Sequence, residues 1–149
     1  MGTYKTIIVG TDGSTTSLLA VDRAGKVAAS SDAQLVIVTA FEPAGKDEVR
    51  QAQDALKGDG FMVVGSAPAE SILRTASGRA RAAGVAQIET LAVEGPVVRV
   101  LDKAVTDSGA DLVVVGNVGL NSLSGRILGS VPQTVARRAN VDVLIVHTT

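Results

Sequence analysis

Gly116, Gly119, Gly129 and Ser130 stand within one segment, GNVGLNSLSGRILGS (residues 116–130), and their chemistry is that of an anion cradle. Glycine lets the backbone come close to a ligand and adopt positive φ, so successive N–H groups can converge on one anion. The segment leaves a strand-like run, DLVVV, and enters a helix-like one, the setting that a phosphate loop requires. Ser130 is placed to cap that helix and Pro132 suits its first turn. A phosphate at the helix start would meet unpaired N–H donors and the positive end of the dipole. Gly129 permits close approach there, and the Ser130 hydroxyl offers one more hydrogen bond. Arg126, inside the loop, can close over a phosphate as a charge-assisted donor or stand as a solvated loop charge. The ending lacks the Gly-Lys-Ser/Thr of a P-loop NTPase, and GxGxxG is absent. One arginine without a lysine leans toward a ligand of low charge, although backbone N–H groups can serve a polyphosphate.

Asp12 is the second candidate. It follows an apolar run that ends at Gly10, with Thr11 between. Its carboxylate can accept hydrogen bonds from a ligand, hold an Asx-turn, or cap the helix that follows. Catalytic groups are otherwise scarce. The chain has no cysteine, so thiol nucleophiles, disulfides and Cys-ligated zinc are excluded. Its one histidine, His147, has no carboxylate or serine partner at readable spacing and reads as a surface or interface residue, so no metal site is expected. Arg137 and Arg138 fall in the last turn of the final helix, where they complement its dipole.

The elements that must position these residues alternate along the 149-residue chain. Residues 5–10 are an apolar run closed by glycine, a buried strand. From Ser14 the period becomes helical, with Leu18, Val21, Ala24 and Ala28 on one face and Asp12 or Ser14 as the cap. Residues 34–40 (QLVIVTA) form a second strand. Residues 68–84 read as a helix with Ser66 upstream, Gly84 as its stop, and Ile72, Leu73, Ala76, Ala80 and Ala83 as its apolar face. A strand at 88–93 follows. A helix opened by Gly95-Pro96 and ended by Gly109 buries Val97, Val100, Leu101, Ala104 and Val105. Strands at 111–115 and 142–147 enclose the glycine-rich loop and a last helix from about Ser130 to Ala139. Residues 41–65 are polar, with a hint of helix at Val49, Ala52 and Leu56 and a stub of strand at 61–64. They read as a surface excursion.

Apolar strands alternating with amphipathic helices make a parallel sheet covered on both faces. Right-handed crossovers then give a doubly wound, open α/β domain, Rossmann-like in architecture. Ligands of such sheets sit outside the carboxyl ends of the strands, which selects the segments after Val9, Thr39 and Val115. The composition is globular: 46% hydrophobic and 19% charged argue against disorder. A net charge of −1, 2% aromatics and no tryptophan give no reason to expect a nucleic-acid or membrane-surface partner. No run of 18 apolar residues is present to span a membrane, and the first residues run straight into a strand rather than a secretory signal. A single cytoplasmic domain over 1–149 is expected, with 41–65 as a variable insert.

Gly116, Gly119, Gly129 and Ser130 fit G-x2-G-x9-G-[ST], directly after VVVG and ahead of a short helix and the strand DVLIVH. With IIVGTDGS at residues 7–14, this pattern resembles the universal stress protein family over essentially the whole chain except 41–65. The resemblance implies a five-stranded parallel sheet of order 3-2-1-4-5, an adenine-nucleotide site, and a homodimer joined through the last strands. It implies that Asp12 lies near the adenosine, accepting from ribose hydroxyls or the adenine amino group, with Gly10 and Thr11 beside it. Ala40 would line the adenine pocket, Val115 and Val131 would flank the ligand, and Gly116, Gly119, Gly129 and Ser130 would hold phosphate. The stretch GRILGSVPQTVARRANVDVLIVHTT is most similar to a bacterial subgroup associated with cyclic AMP (cAMP) binding as well as ATP.

The expected function is therefore regulatory binding of cAMP or ATP, the latter with or without Mg2+. The alternative is a slow ATP hydrolase or another adenosine-nucleotide enzyme of the same fold. The loop offers that alternative only Asn117, Asn121 and serines, with no carboxylate, lysine or histidine. A dimer has its own physical argument. If the last strand is a sheet edge, pairing with a second copy would satisfy its open backbone and cover Val141, Val143 and Ile145.

Overall fold

The computed structural model describes residues 2–42, 66–117 and 130–148. The helix hint at Val49, Ala52 and Leu56, the strand stub at 61–64, and Gly119, Arg126 and Gly129 lie outside these residues.

The described elements run β1 (Thr6–Gly10), α1 (Thr15–Ser31), β2 (Gln34–Phe41), α2 (Ser66–Ala82), β3 (Ile88–Glu94), α3 (Val97–Ser108), β4 (Leu112–Gly116), α4 (Ser130–Arg138) and β5 (Asp142–Val146). The five strands form one sheet in the order β3-β2-β1-β4-β5, and every pairing is parallel. The expected fold is thus observed. The three central strands carry the longest β-branched runs, IIV, VIV and VVV, because both of their faces are buried.

Alternation along the strands divides the core in two. Ile7, Val9, Leu35, Ile37, Leu112 and Val114 face one side with buried residues of α1 and α2. Ile8, Val36, Val38, Val113 and Val115 face the other, with Val100, Leu101 and Ala104 of α3 and Val135 of α4.

The helix ends follow local chemistry. Ser14 caps α1, its hydroxyl accepting from Ser17 N–H at 3.2 Å, so of the two candidate caps the structure takes Ser14 rather than Asp12. The helix closes on Asp32 at φ 54°, whose N–H returns to Ala28 and Ala29 carbonyls. α2 starts and ends two residues earlier than the sequence pattern indicated, and Gly84 follows it at φ 104°. α3 begins after Pro96 and stops at Gly109, as its punctuation indicated.

The amino ends of the strands are tied together. The Asp111 carboxylate accepts from Lys5 N–H at 3.0 Å and Thr6 N–H at 3.1 Å, and the Tyr4 hydroxyl donates to Asp142 at 2.9 Å. Asp142 accepts that hydrogen bond and, with Asp111, adds negative charge nearby, so the Tyr4 phenol is held above its ordinary pKa of 10.0. Among the described residues no helix is long and apolar enough to cross a membrane.

Candidate functional site

β1 and β4 are neighbours, with Val9 beside Val114. The chain leaves β1 toward a helix on one face and leaves β4 toward a helix on the other. Where such connections diverge, the carboxyl ends of the strands stay uncovered. A cleft with about 630 Å³ of space, open solvent included, lies there. Gly10, Thr11, Asp12 and Ser17 form its polar rim, and Val38, Ala40, Val115 and Gly116 come from the strand ends. Val97, Val100 and Leu101 of α3 wall one side, and Val131 and Pro132 of α4 complete it. Gly10 leaves room: a Cβ there would project to 3.3 Å from the Leu101 side chain.

The turn that carries Asp12 is braced from three directions. Thr11 N–H donates to the Val38 carbonyl at 3.0 Å, and the fully buried Thr39 hydroxyl donates to the Thr11 carbonyl at 2.8 Å. Ser17 Oγ donates to the Ser14 carbonyl at 3.0 Å, so the Thr11 hydroxyl is the donor in their 2.8 Å contact. One Asp12 oxygen accepts from Ser14 N–H at 2.8 Å, which makes the Asx-turn. Asp12 also lines the cleft, so the turn role and a place at the cleft coexist. Gly13, at φ 83°, lies against Ile72 of α2, where a Cβ would come within 2.8 Å of the isoleucine. Glycine is needed there for both conformation and space.

At the other rim, β4 ends on Gly116, paired with Val146. Asn117 follows, 7% exposed, and its N–H adds one more bond to the Val146 carbonyl at 2.8 Å. His147 is exposed, as expected, with Nδ1 3.4 Å from Asn117 Nδ2. Arg138 does more than sit at a helix end: its guanidinium pairs with Asp102 of α3 at 3.2 Å.

Of the expected site residues, Gly10, Thr11, Asp12, Ala40, Val115, Gly116 and Val131 line this single cleft. Ser130 opens α4 and is exposed, one residue before Val131. Gly119, Arg126 and Gly129 are outside the described residues. Sequence reasoning missed Ser17, Val38, Val97, Val100, Leu101 and Pro132 as cleft residues. The valines and Leu101 read as core stripe, and their periodicity carries no sign that the first turns of α3 stand over strand ends. Ser17, three residues after a candidate cap, was the one legible signal.

The cleft can hold a flat apolar group against valine walls and orient it with few polar contacts. Asp12 is the only ionisable residue among its described lining. α1, α3 and α4 all contribute residues from their first turns, so three positive helix ends surround it. That field favours an anionic group on the ligand. Among the described residues no three carboxylates or histidines gather to hold a metal ion.

The comparisons with known proteins agree with this geometry. Residues 3–147 match the model described as Universal stress protein family. Universal stress protein Rv1636 of Mycobacterium tuberculosis (strain ATCC 25618 / H37Rv) is 49% identical over 149 residues, covering 100% of both chains. A crystal structure of a universal stress protein in complex with cAMP superposes with TM-score 0.75 at 48% identity, covering 98% of each chain. Universal stress protein UspA from Lactobacillus plantarum shares the fold at TM-score 0.77 and 21% identity, covering 98% of this chain and 99% of that one. Sequence, sheet order and cleft converge: the chain belongs to the universal stress protein family.

Proposed function

We propose that the chain is one nucleotide-binding domain over residues 1–149, with 41–65 as a variable insert, that takes up cAMP or ATP and acts by occupancy rather than turnover. The observation that carries this is the cleft itself: valine walls, one carboxylate and three helix starts at the carboxyl ends of β1 and β4. The 48%-identical relative solved with cAMP supports an adenine nucleotide as the ligand. In this reading Ala40, Val115 and Val131 contact the apolar body of the nucleoside, and Asp12, flanked by Gly10 and Thr11, accepts from its hydroxyl or amino groups. Gly116, Gly119, Gly129 and Ser130 donate to phosphate, and Arg126 closes over it. The protein works in the cytoplasm as a homodimer joined through β5, the edge strand that carries the half-buried Val143 and Ile145.

Calorimetric titration of nucleotide-stripped protein with cAMP, and separately with ATP and Mg2+, tests the reading. Heat from one or both is expected, and tighter binding of cAMP would make the protein a second-messenger sensor or sink. Gly116→Val should abolish binding at nucleotide concentrations that saturate wild type, because the β-branched side chain keeps the phosphate off the backbone. Wild-type affinity in that variant overturns the site. Phosphate release from ATP well above background over hours would replace occupancy with slow hydrolysis. Light scattering that shows a monomer at micromolar concentration would remove the dimer.

A further inference from the structure

We infer that Asn117 is a positioning residue for the cleft: its side chain clamps the end of β4 to the residues that follow β5, and so sets how Gly116 presents its backbone. This rests on the cleft's reading as a nucleotide site. Gly116 lines the cleft and, as glycine, does little by itself to define its own peptide orientation. Its neighbours must do so.

Asn117 makes three kinds of link to one adjoining segment. Its N–H donates to the Val146 carbonyl at 2.8 Å. Its Oδ1 accepts from Thr148 N–H at 2.8 Å and from the Thr148 hydroxyl at 3.0 Å, which uses both lone pairs of that oxygen. Its Nδ2 lies 3.4 Å from His147 Nδ1, the weakest of the set. Hydrogen bonds to both its backbone and its side chain oppose reorientation of this buried amide. Another side of the cleft, Val131 and Pro132, is held by α4. The clamp therefore does for the β4 rim what a helix does for the other. It also makes the residues after β5 part of a site that none of them lines.

The test measures three things on the full chain: calorimetric Kd for cAMP and for ATP with Mg2+, melting without nucleotide, and amide exchange of Thr148 by NMR with and without nucleotide. Asn117→Ala should raise Kd about ten-fold, the worth of one to two hydrogen bonds. Thr148→Pro, which has no N–H, should raise it several-fold, and Thr148→Ser, which keeps both donors, should restore the lost affinity. By reciprocity, saturating nucleotide should slow Thr148 N–H exchange by about the same factor as Asn117→Ala weakens binding. A residue that only stabilises the fold would lower the melting temperature and leave Thr148 exchange by local opening indifferent to nucleotide. Unchanged Kd in Asn117→Ala, or nucleotide-independent Thr148 exchange in a wild type that binds, overturns this inference alone. Should Asn117→Ala fail to fold, equal affinities for Thr148→Pro and Thr148→Ser overturn it equally well. A folded wild type that binds neither nucleotide overturns the reading of the cleft and this inference with it.

Discussion

Among the described residues each face of the sheet carries two helices, but on one face they meet along a closed seam and on the other they wall the cleft. At the closed seam α1 presents Ala20, Ala24, Gly25 and Ala28, and α2 presents Ala76 and Ala80, all buried. Small side chains let helix axes approach, and a Cβ on Gly25 would lie 2.9 Å from that of Ala83. An ion pair across the seam, Arg79 Nε to Asp22 at 2.8 Å, links the two helices, and the hydrogen bond to Asp22 holds the guanidinium above its ordinary pKa. On the other face the helices carry Val97, Val100, Leu101, Val105, Val131 and Val135 instead. These larger side chains stand between the helices and the strand ends. The two helices are joined by Asp102 and Arg138, while residues of their first turns wall the cleft. One architecture thus yields a closed seam or an open cleft according to side-chain size and where the helix starts fall.

Substitutions can break or sharpen that contrast. The largest effect is expected at the sealed seam. Gly25→Leu should cost about 3 kcal/mol of stability by overpacking against Ala83, measured by urea denaturation, while the protein that remains folded keeps wild-type nucleotide affinity. A large loss of affinity in the folded fraction would mean that the faces are not independent. Gly10→Val should do the reverse. Its methyl groups would fill the cleft beside Leu101 and weaken nucleotide binding about a hundred-fold, with stability changed by less than about 1 kcal/mol, since valine suits a strand. Unaltered binding there would move the ligand off this cleft.

The smallest effect is expected at the amino ends of the strands, far from both. Tyr4→Phe removes the bond to Asp142 and should lower the melting temperature slightly at neutral pH, with no change in nucleotide affinity. The phenol's folded pKa is raised above 10.0, so its contribution is complete below that pH and is lost as pH rises through the folded value. The wild-type advantage over Tyr4→Phe should accordingly shrink in alkaline melts above pH 10. A constant difference across that range would show that the bond adds nothing.

The fold was largely legible. Four of the five described strands are short apolar runs, β3 (IETLAVE) being mixed, and the helix punctuation at Gly84, Gly95, Pro96 and Gly109 falls where the structure turns. The candidate site was legible where backbone chemistry decides it. Gly10, Thr11, Asp12 and Gly116 sit at strand ends, and the end of a strand is a local property. Val100 and Leu101 were legible only as buried residues. A valine in a core and a valine in a pocket wall obey the same helical period, so the period cannot separate them. Arg138 shows the same limit. Its place in a last helical turn is local, but its partner Asp102 is on another element, and no local pattern pairs them.

By itself, then, the sequence determined the alternation of strands and helices, the two-faced burial of the central strands, and the strand ends at which the cleft opens. These follow from periodicity, turn residues and the handedness of crossovers, all encoded over short spans of chain. Only the tertiary structure decided which apolar side chains face the cleft rather than the core, that Ser14 rather than Asp12 caps α1, and that Asn117 meets Thr148 from 31 residues away. Those outcomes depend on which elements become neighbours in space, and neighbours distant in sequence are selected by packing the whole molecule at once.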